Sequence, residues 1–165
     1  TLAAVPKRWP VLVSKVVVFV AIVLPAVLVA VFAAFFGGAA LLSGAGVHTL
    51  ALSDPGVLRA LLGWVAYLVG IGVIGVALGV LLRSVGTGIG VLVGGIVFVP
   101  ALMMALLPES WGAVLKYLPS NAGLSITSQV DVTGLLAYGV GAAVFAGWIA
   151  LAVAAAAVVL QRRDA

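Results

Sequence analysis

Residues 70–107 read GIGVIGVALGVLLRSVGTGIGVLVGGIVFVPALMMALL, two long apolar runs separated by a single charge at Arg83. Both runs are ruled with glycine, and neither alternates polar with apolar residues. A segment of this kind cannot shelter its backbone in water-filled loops. It reads as two transmembrane helices joined by a tight turn at Arg83-Ser84, because a helix satisfies its own backbone hydrogen bonds in lipid. The rest of the chain is placed from this pair.

Composition points the same way. The 165 residues are 65% hydrophobic and 7% charged, with a mean hydropathy of +1.42, whereas soluble domains carry about 25% charged residues. Four windows hold no Asp, Glu, Lys or Arg: Val16–Ser53, Ala60–Leu82, Ser84–Pro108 and Val132–Gln161. Each exceeds the roughly 20 residues a helix needs to cross about 30 Å of hydrocarbon. Strict alternation, the mark of a transmembrane strand, is missing from all four. The expected fold is an all-α polytopic membrane bundle with four transmembrane helices.

Placing residues 1–15 in the cytoplasm makes six basic residues cytoplasmic (Lys7, Arg8, Lys15, Arg83, Arg162, Arg163) and two external (Arg59, Lys116). That asymmetry follows the positive-inside rule. Basic residues at the ends of apolar runs mark membrane surfaces rather than a nucleic-acid footprint. The expected location is the cell membrane, with both ends of this segment cytoplasmic.

On this frame the chain divides into a cytoplasmic segment at 1–15, span A at 16–36, span B at 57–82, span C at 85–107, an external segment at 108–134, span D at 135–160 and a tail at 161–165. Pro25 should kink span A, and Gly37-Gly38 should end it. Residues 39–56 then form an external loop. In span B, Gly72, Gly75 and Gly79 share one face; in span C, Gly86, Gly90 and Gly94 do so. Gly139 and Gly147 begin a small-residue stripe on span D. All are candidates for close helix packing. The far half of span C is bulky after Pro100, and Phe98, Leu102, Met103 and Leu106 are candidates for a pathway lining or gate. Residues 108–134 are the most polar part of the chain. Trp111, Val114, Leu115 and Leu118 recur at helical spacing until Pro119-Ser120-Asn121, the pattern of an amphipathic or re-entrant hairpin resting against protein or water.

Little here can carry covalent chemistry. Gly70–Gly75 spells GxGxxG, but it lies mid-span with no strand before it, and the next acid is Glu109, so the nucleotide-binding reading fails. His48 is the single histidine and there is no cysteine, so no metal site is expected. Ser120 and Asn121 have no histidine or acid beside them to make a nucleophile. No charge falls deep in any span. An intramembrane enzyme is therefore the weakest reading. A conduit for apolar or amphipathic cargo, driven by another protein, and a non-transport assembly or sensor module are the other two.

The order TLAAVPKRWPVLVSK, LSDPGVLRALLG, LGVLLRSVGTGIG, LLPESWGAVLKYLPSNAG and a last span ending in QRRDA resembles bacterial ABC-2 type permeases, the membrane subunits of ABC exporters, especially those of actinobacterial type. The resemblance covers essentially the whole chain. Such permeases have six spans, and this chain looks like the last four. The resemblance implies that Leu2, Val5, Pro6, Lys7 and Arg8 contact a separate ATP-binding subunit, which holds the ATP and magnesium and performs all hydrolysis. It implies that span C lines the central pathway of a dimer, most simply a homodimer, and that the segment around Trp111, Pro119, Ser120 and Asn121 is re-entrant above it. The implied activity is ATP-driven export of a drug, lipid or natural product by alternating access.

Overall fold

A computed structural model describes residues 9–82, 84–130 and 132–162. Among these it contains helices and no strand: α1 (Trp9–Gly44), α2 (Val57–Leu82), α3 (Val85–Val93), a π-helical turn (Gly94–Phe98), α4 (Val99–Leu106), a 3-10 turn (Glu109–Trp111), α5 (Gly112–Leu115), α6 (Pro119–Thr127) and α7 (Tyr138–Arg162). Four stretches are long and apolar enough to cross a bilayer: Pro10–Gly44, Val57–Leu82, Val85–Met103 and Tyr138–Arg162. The fold is an all-α membrane bundle.

α2 and α7 form its spine. Two cores sit along them. At the end marked by Lys15, Leu12 of α1 is buried against Ala77 of α2 and Ala156 and Ala157 of α7. At the end marked by Arg59, the third partner is α6, whose Ala122 and Ile126 are buried with Leu136 and Phe145 beneath Tyr67 and Ile71 of α2. α1 and α6 thus close the bundle at opposite ends. α3 packs on another face of α2.

α1 is longer than span A. It continues through Pro25 and through Gly37-Gly38 to Gly44. Its stop is a left-handed glycine cap: Gly46 has φ +74°, its N–H donates to the Ser43 carbonyl, and the Val47 N–H reaches back to the Leu42 carbonyl at 3.1 Å. That pair of bonds satisfies the carbonyls a helix end leaves open. Gly37-Gly38 has no such downstream partner arrangement, so the glycine pair costs helix propensity without ending the helix. Phe19 lies against Gly72, which in antiparallel helices sets Ala34 level with Val57. The last ten residues of α1 therefore extend about 15 Å beyond the start of α2.

Span C is not one uniform helix. Pro100 has no N–H to give the Ile96 carbonyl, and its ring crowds that carbonyl. The chain relieves this by widening: the Val99 N–H bonds to Gly94 O, five residues back. The Gly94-Gly95 pair permits the wide turn.

Candidate functional site

The first candidate is the hairpin between span C and span D. Its deepest point can be measured against two helices. The indole N–H of Trp148 donates to Tyr117 O at 2.9 Å, and Trp148 lies ten residues into α7. Gly123 lies against the ring of Tyr67, ten residues into α2. Trp148 thus places the turn about 15 Å along α7, whereas Gly123, four residues beyond Pro119, lies about 15 Å along α2, so the turn itself stands roughly 6 Å further along that helix. The chain turns there at Tyr117–Ser120, and α6 returns to the Arg59 end.

The sequence explains why α6 fits. Pro119 stands in its first turn, where proline loses nothing because that N–H would be unbonded anyway. Pro119-Ser120-Asn121 thus ends one helical pattern and begins the next. Its buried residues are Ser120, Ala122, Gly123, Ser125 and Ile126, small enough to slide between α2 and α7. Both neighbours answer with glycine. A side chain on Gly63 would collide with the Ile126 carbonyl, and one on Gly141 with the Ser125 hydroxyl. Asn121 Nδ2 donates to Leu115 O at 2.8 Å, joining the two limbs. Ser125 Oγ donates to Ala122 O at 2.7 Å. The Ser120 hydroxyl is buried and has no hydrogen-bond partner among the described residues.

The return limb is clasped at the Arg59 end. Arg59 Nη2 donates to Gln129 O at 2.9 Å, and its guanidinium carbon lies 4.9 Å from the centre of the Tyr138 ring. Gln129 Nε2 donates to Pro55 O at 3.1 Å. Gly56, at φ +83°, leaves room for the Gln129 carbonyl, which a side chain there would meet at 2.6 Å.

No family model, curated protein or solved structure matches this chain. The site is therefore read from its own geometry.

The candidate pathway residues lie together on the far part of span C. Phe98 is 61% exposed and Leu106 77%, with Leu102 and Met103 also open. α4 touches chiefly its own π-turn and α5. Trp111 on the descending limb is likewise exposed. The π-turn itself reaches α6, so the widened part of span C touches the return limb of the hairpin. Lys116 sits beside the apex, its ammonium 5.6 Å from the Tyr117 ring centre.

The packing glycines divide. Gly72 receives Phe19, and Gly75 approaches Leu92, at 3.2 Å from the position of an added side-chain carbon. Gly79 passes under Gly88, whose added carbon would sit 3.2 Å from Gly79 Cα. Gly86, Gly90, Gly94, Gly139 and Gly147 meet nothing within 4 Å in such a test. The close contacts on those helices fall on Gly88 and Gly141 instead. Leu2, Val5, Pro6, Lys7 and Arg8 lie outside the described residues, as does Arg83. Among the described residues no three metal-ligating side chains come together.

A second feature sits at the Lys15 end. α1 and α3 flank α2 without closing on each other and leave a groove of about 820 Å³ floored by Gly75, Val76 and Gly79. Sequence reading missed it, because the glycines of α2 signal a close approach and here serve partly to keep a space open.

Proposed function

We propose that this chain is the transmembrane subunit of an ATP-driven exporter of the ABC-2 type, moving an apolar or amphipathic cargo. The observation that carries the reading is the hairpin whose return helix α6 slots between α2 and α7 and reaches the π-turn of span C, beside a bulky and uncovered α4. Irregular backbone inside a membrane bundle is tolerated where it lies against protein or lines a water-filled cavity, and π-turns cluster at functional positions. In this reading the open face of α3 and α4 meets a second permease subunit, and Phe98, Leu102, Met103 and Leu106 obstruct the way out until the subunits rock apart. Residues 1–8 receive the push of the ATP-binding subunit on the cytoplasmic side, and hydrolysis takes place on that partner.

The test is purification of the chain from its native membrane, followed by transport in vesicles. A Walker-type ATPase should co-purify, and export of an amphiphilic dye should require ATP. The double variant Lys7→Glu/Arg8→Glu should release the ATPase and abolish export. Purification without any ATPase, or ATP-independent flux, would overturn the assignment.

A further inference from the structure

We propose that the groove between α1 and α3 is a binding slot for one acyl chain of an anionic membrane phospholipid, with the headgroup phosphate held at Lys15 and Ser84. Its lining includes Val11, Phe19, Gly79, Ile89 and Leu92, and among the described residues its one charged lining residue is Lys15. The deep end is shut by the Phe19 ring, which rests on Gly72. The open end carries Lys15 of α1 and Ser84, the residue that caps α3. Ser84 Oγ accepts the Thr87 N–H at 3.3 Å, which leaves its own proton free to donate to a phosphate oxygen. The slot is thus apolar and blind inward, and cationic with a hydroxyl donor at its mouth. That is the polarity of an anionic lipid.

The dimensions suit an acyl chain. From Gly72 to Ser84 the groove follows twelve residues of α2 and the turn beyond it, about 18 Å at helical rise. The groove volume of about 820 Å³ lies within the range of about 300–1,000 Å³ typical of small-ligand pockets. The floor is also open by construction. A side-chain carbon on Gly79 meets nothing within 4 Å, so the space above it is not needed for packing between these helices.

The experiment uses the chain in nanodiscs of equal phosphatidylcholine and phosphatidylglycerol, with retained lipid counted by native mass spectrometry. A phosphatidylglycerol bearing a diazirine on its acyl chain maps the contact. Phosphatidylglycerol should be retained over phosphatidylcholine, and the photoproduct should fall on Phe19, Ile89 or Leu92. Lys15→Gln should lower the headgroup preference about fivefold, the ratio expected for one lysine at an anionic surface. Gly79→Leu should abolish the photoproduct while circular dichroism stays helical. Equal retention of the two lipids would overturn the proposal, and so would a photoproduct unaffected by Gly79→Leu. Disulfide capture of another protein segment by Ile89→Cys, with no lipid retained, would also overturn it and identify a helix as the occupant. None of these readouts depends on export or on an ATPase.

Discussion

Trp148 hands its indole N–H to the backbone carbonyl of Tyr117 at 2.9 Å, tying the turning point of the hairpin to the middle of α7. The carbonyl belongs to a residue between helices, so no helical N–H is available to replace the indole. Trp148→Phe keeps the ring and removes the donor. It should lower stability by about 1 kcal/mol, the usual net worth of such a bond. Unfolding in mixed micelles would measure it. An unchanged midpoint would mean that water already serves the carbonyl.

The glycines separate into two classes that alanine substitution should resolve. Gly63→Ala and Gly141→Ala each place a carbon into α6, against the Ile126 carbonyl or the Ser125 hydroxyl. Both should destabilise by about 1–3 kcal/mol or more, the range for overpacking. Gly90→Ala and Gly147→Ala add a methyl where nothing stands within 4 Å. These should stay within about 0.5 kcal/mol or gain slightly from helix propensity. Thermal midpoints of the four variants in one detergent would decide it. Equal losses in both classes would refute the packing described.

What the sequence makes legible follows from how far each signal reaches. Charge-free windows longer than a bilayer is thick announce the four spans, because that requirement is one-dimensional. The re-entrant segment is visible for the same reason: its polarity rises and its helical spacing breaks at Pro119. Which face of a helix meets a neighbour is a tertiary fact. Gly86 and Gly88 differ by 200° around span C, as do Gly139 and Gly141 on α7, so small-residue spacing names a face without naming the face in use. On α2 the spacing does coincide with contacts, to Phe19 and Leu92. The end of α1 was hidden differently. Gly37-Gly38 looks like a stop, but a stop of this kind requires one backbone bond from the glycine and one from the residue after it, and on α1 it is Gly46 with Val47 that makes them.

Arg59 joins two segments through two unlike contacts, a hydrogen bond to Gln129 O and the face of Tyr138. Arg59→Ala removes both and should cost about 1.5–3 kcal/mol, as charge-assisted bonds and cation–π contacts do. Arg59→Lys keeps the charge over the ring but loses the planar fork, and should fall between. Limited proteolysis near Gln129 should quicken in the same order. Cleavage equally slow in all three proteins would show that the clasp does not hold the loop.

Ser120 presents the opposite case, a buried hydroxyl that nothing in the described chain satisfies. Leaving such a group unpaired costs about 1–3 kcal/mol. Ser120→Ala should therefore raise stability by an amount approaching that figure, read from the same micellar unfolding. A loss of stability would mean that the hydroxyl binds an ordered water or a partner in the membrane, and that the apex is a polar site.

Pro100 fixes the register of the far half of span C. Without an N–H at this position the helix widens, and Val99 bonds to Gly94 instead of Gly95. The wide turn accommodates one extra residue, so every side chain after it is rotated by about 100° from its place in an uninterrupted helix. Pro100→Ala restores the missing donor to the Ile96 carbonyl and removes the ring that crowds it. The turn should then relax to α geometry, and Leu102, Met103 and Leu106 should swing away from the face they share with Phe98. The chain has no cysteine of its own, so single cysteines at positions 98–107 can be probed cleanly with a membrane-impermeant maleimide. In the Pro100→Ala background the pattern of labelled positions should move by one residue beyond 100 and stay fixed before it. A pattern that does not move would mean that α4 is held by contacts elsewhere and that the proline does not set its register.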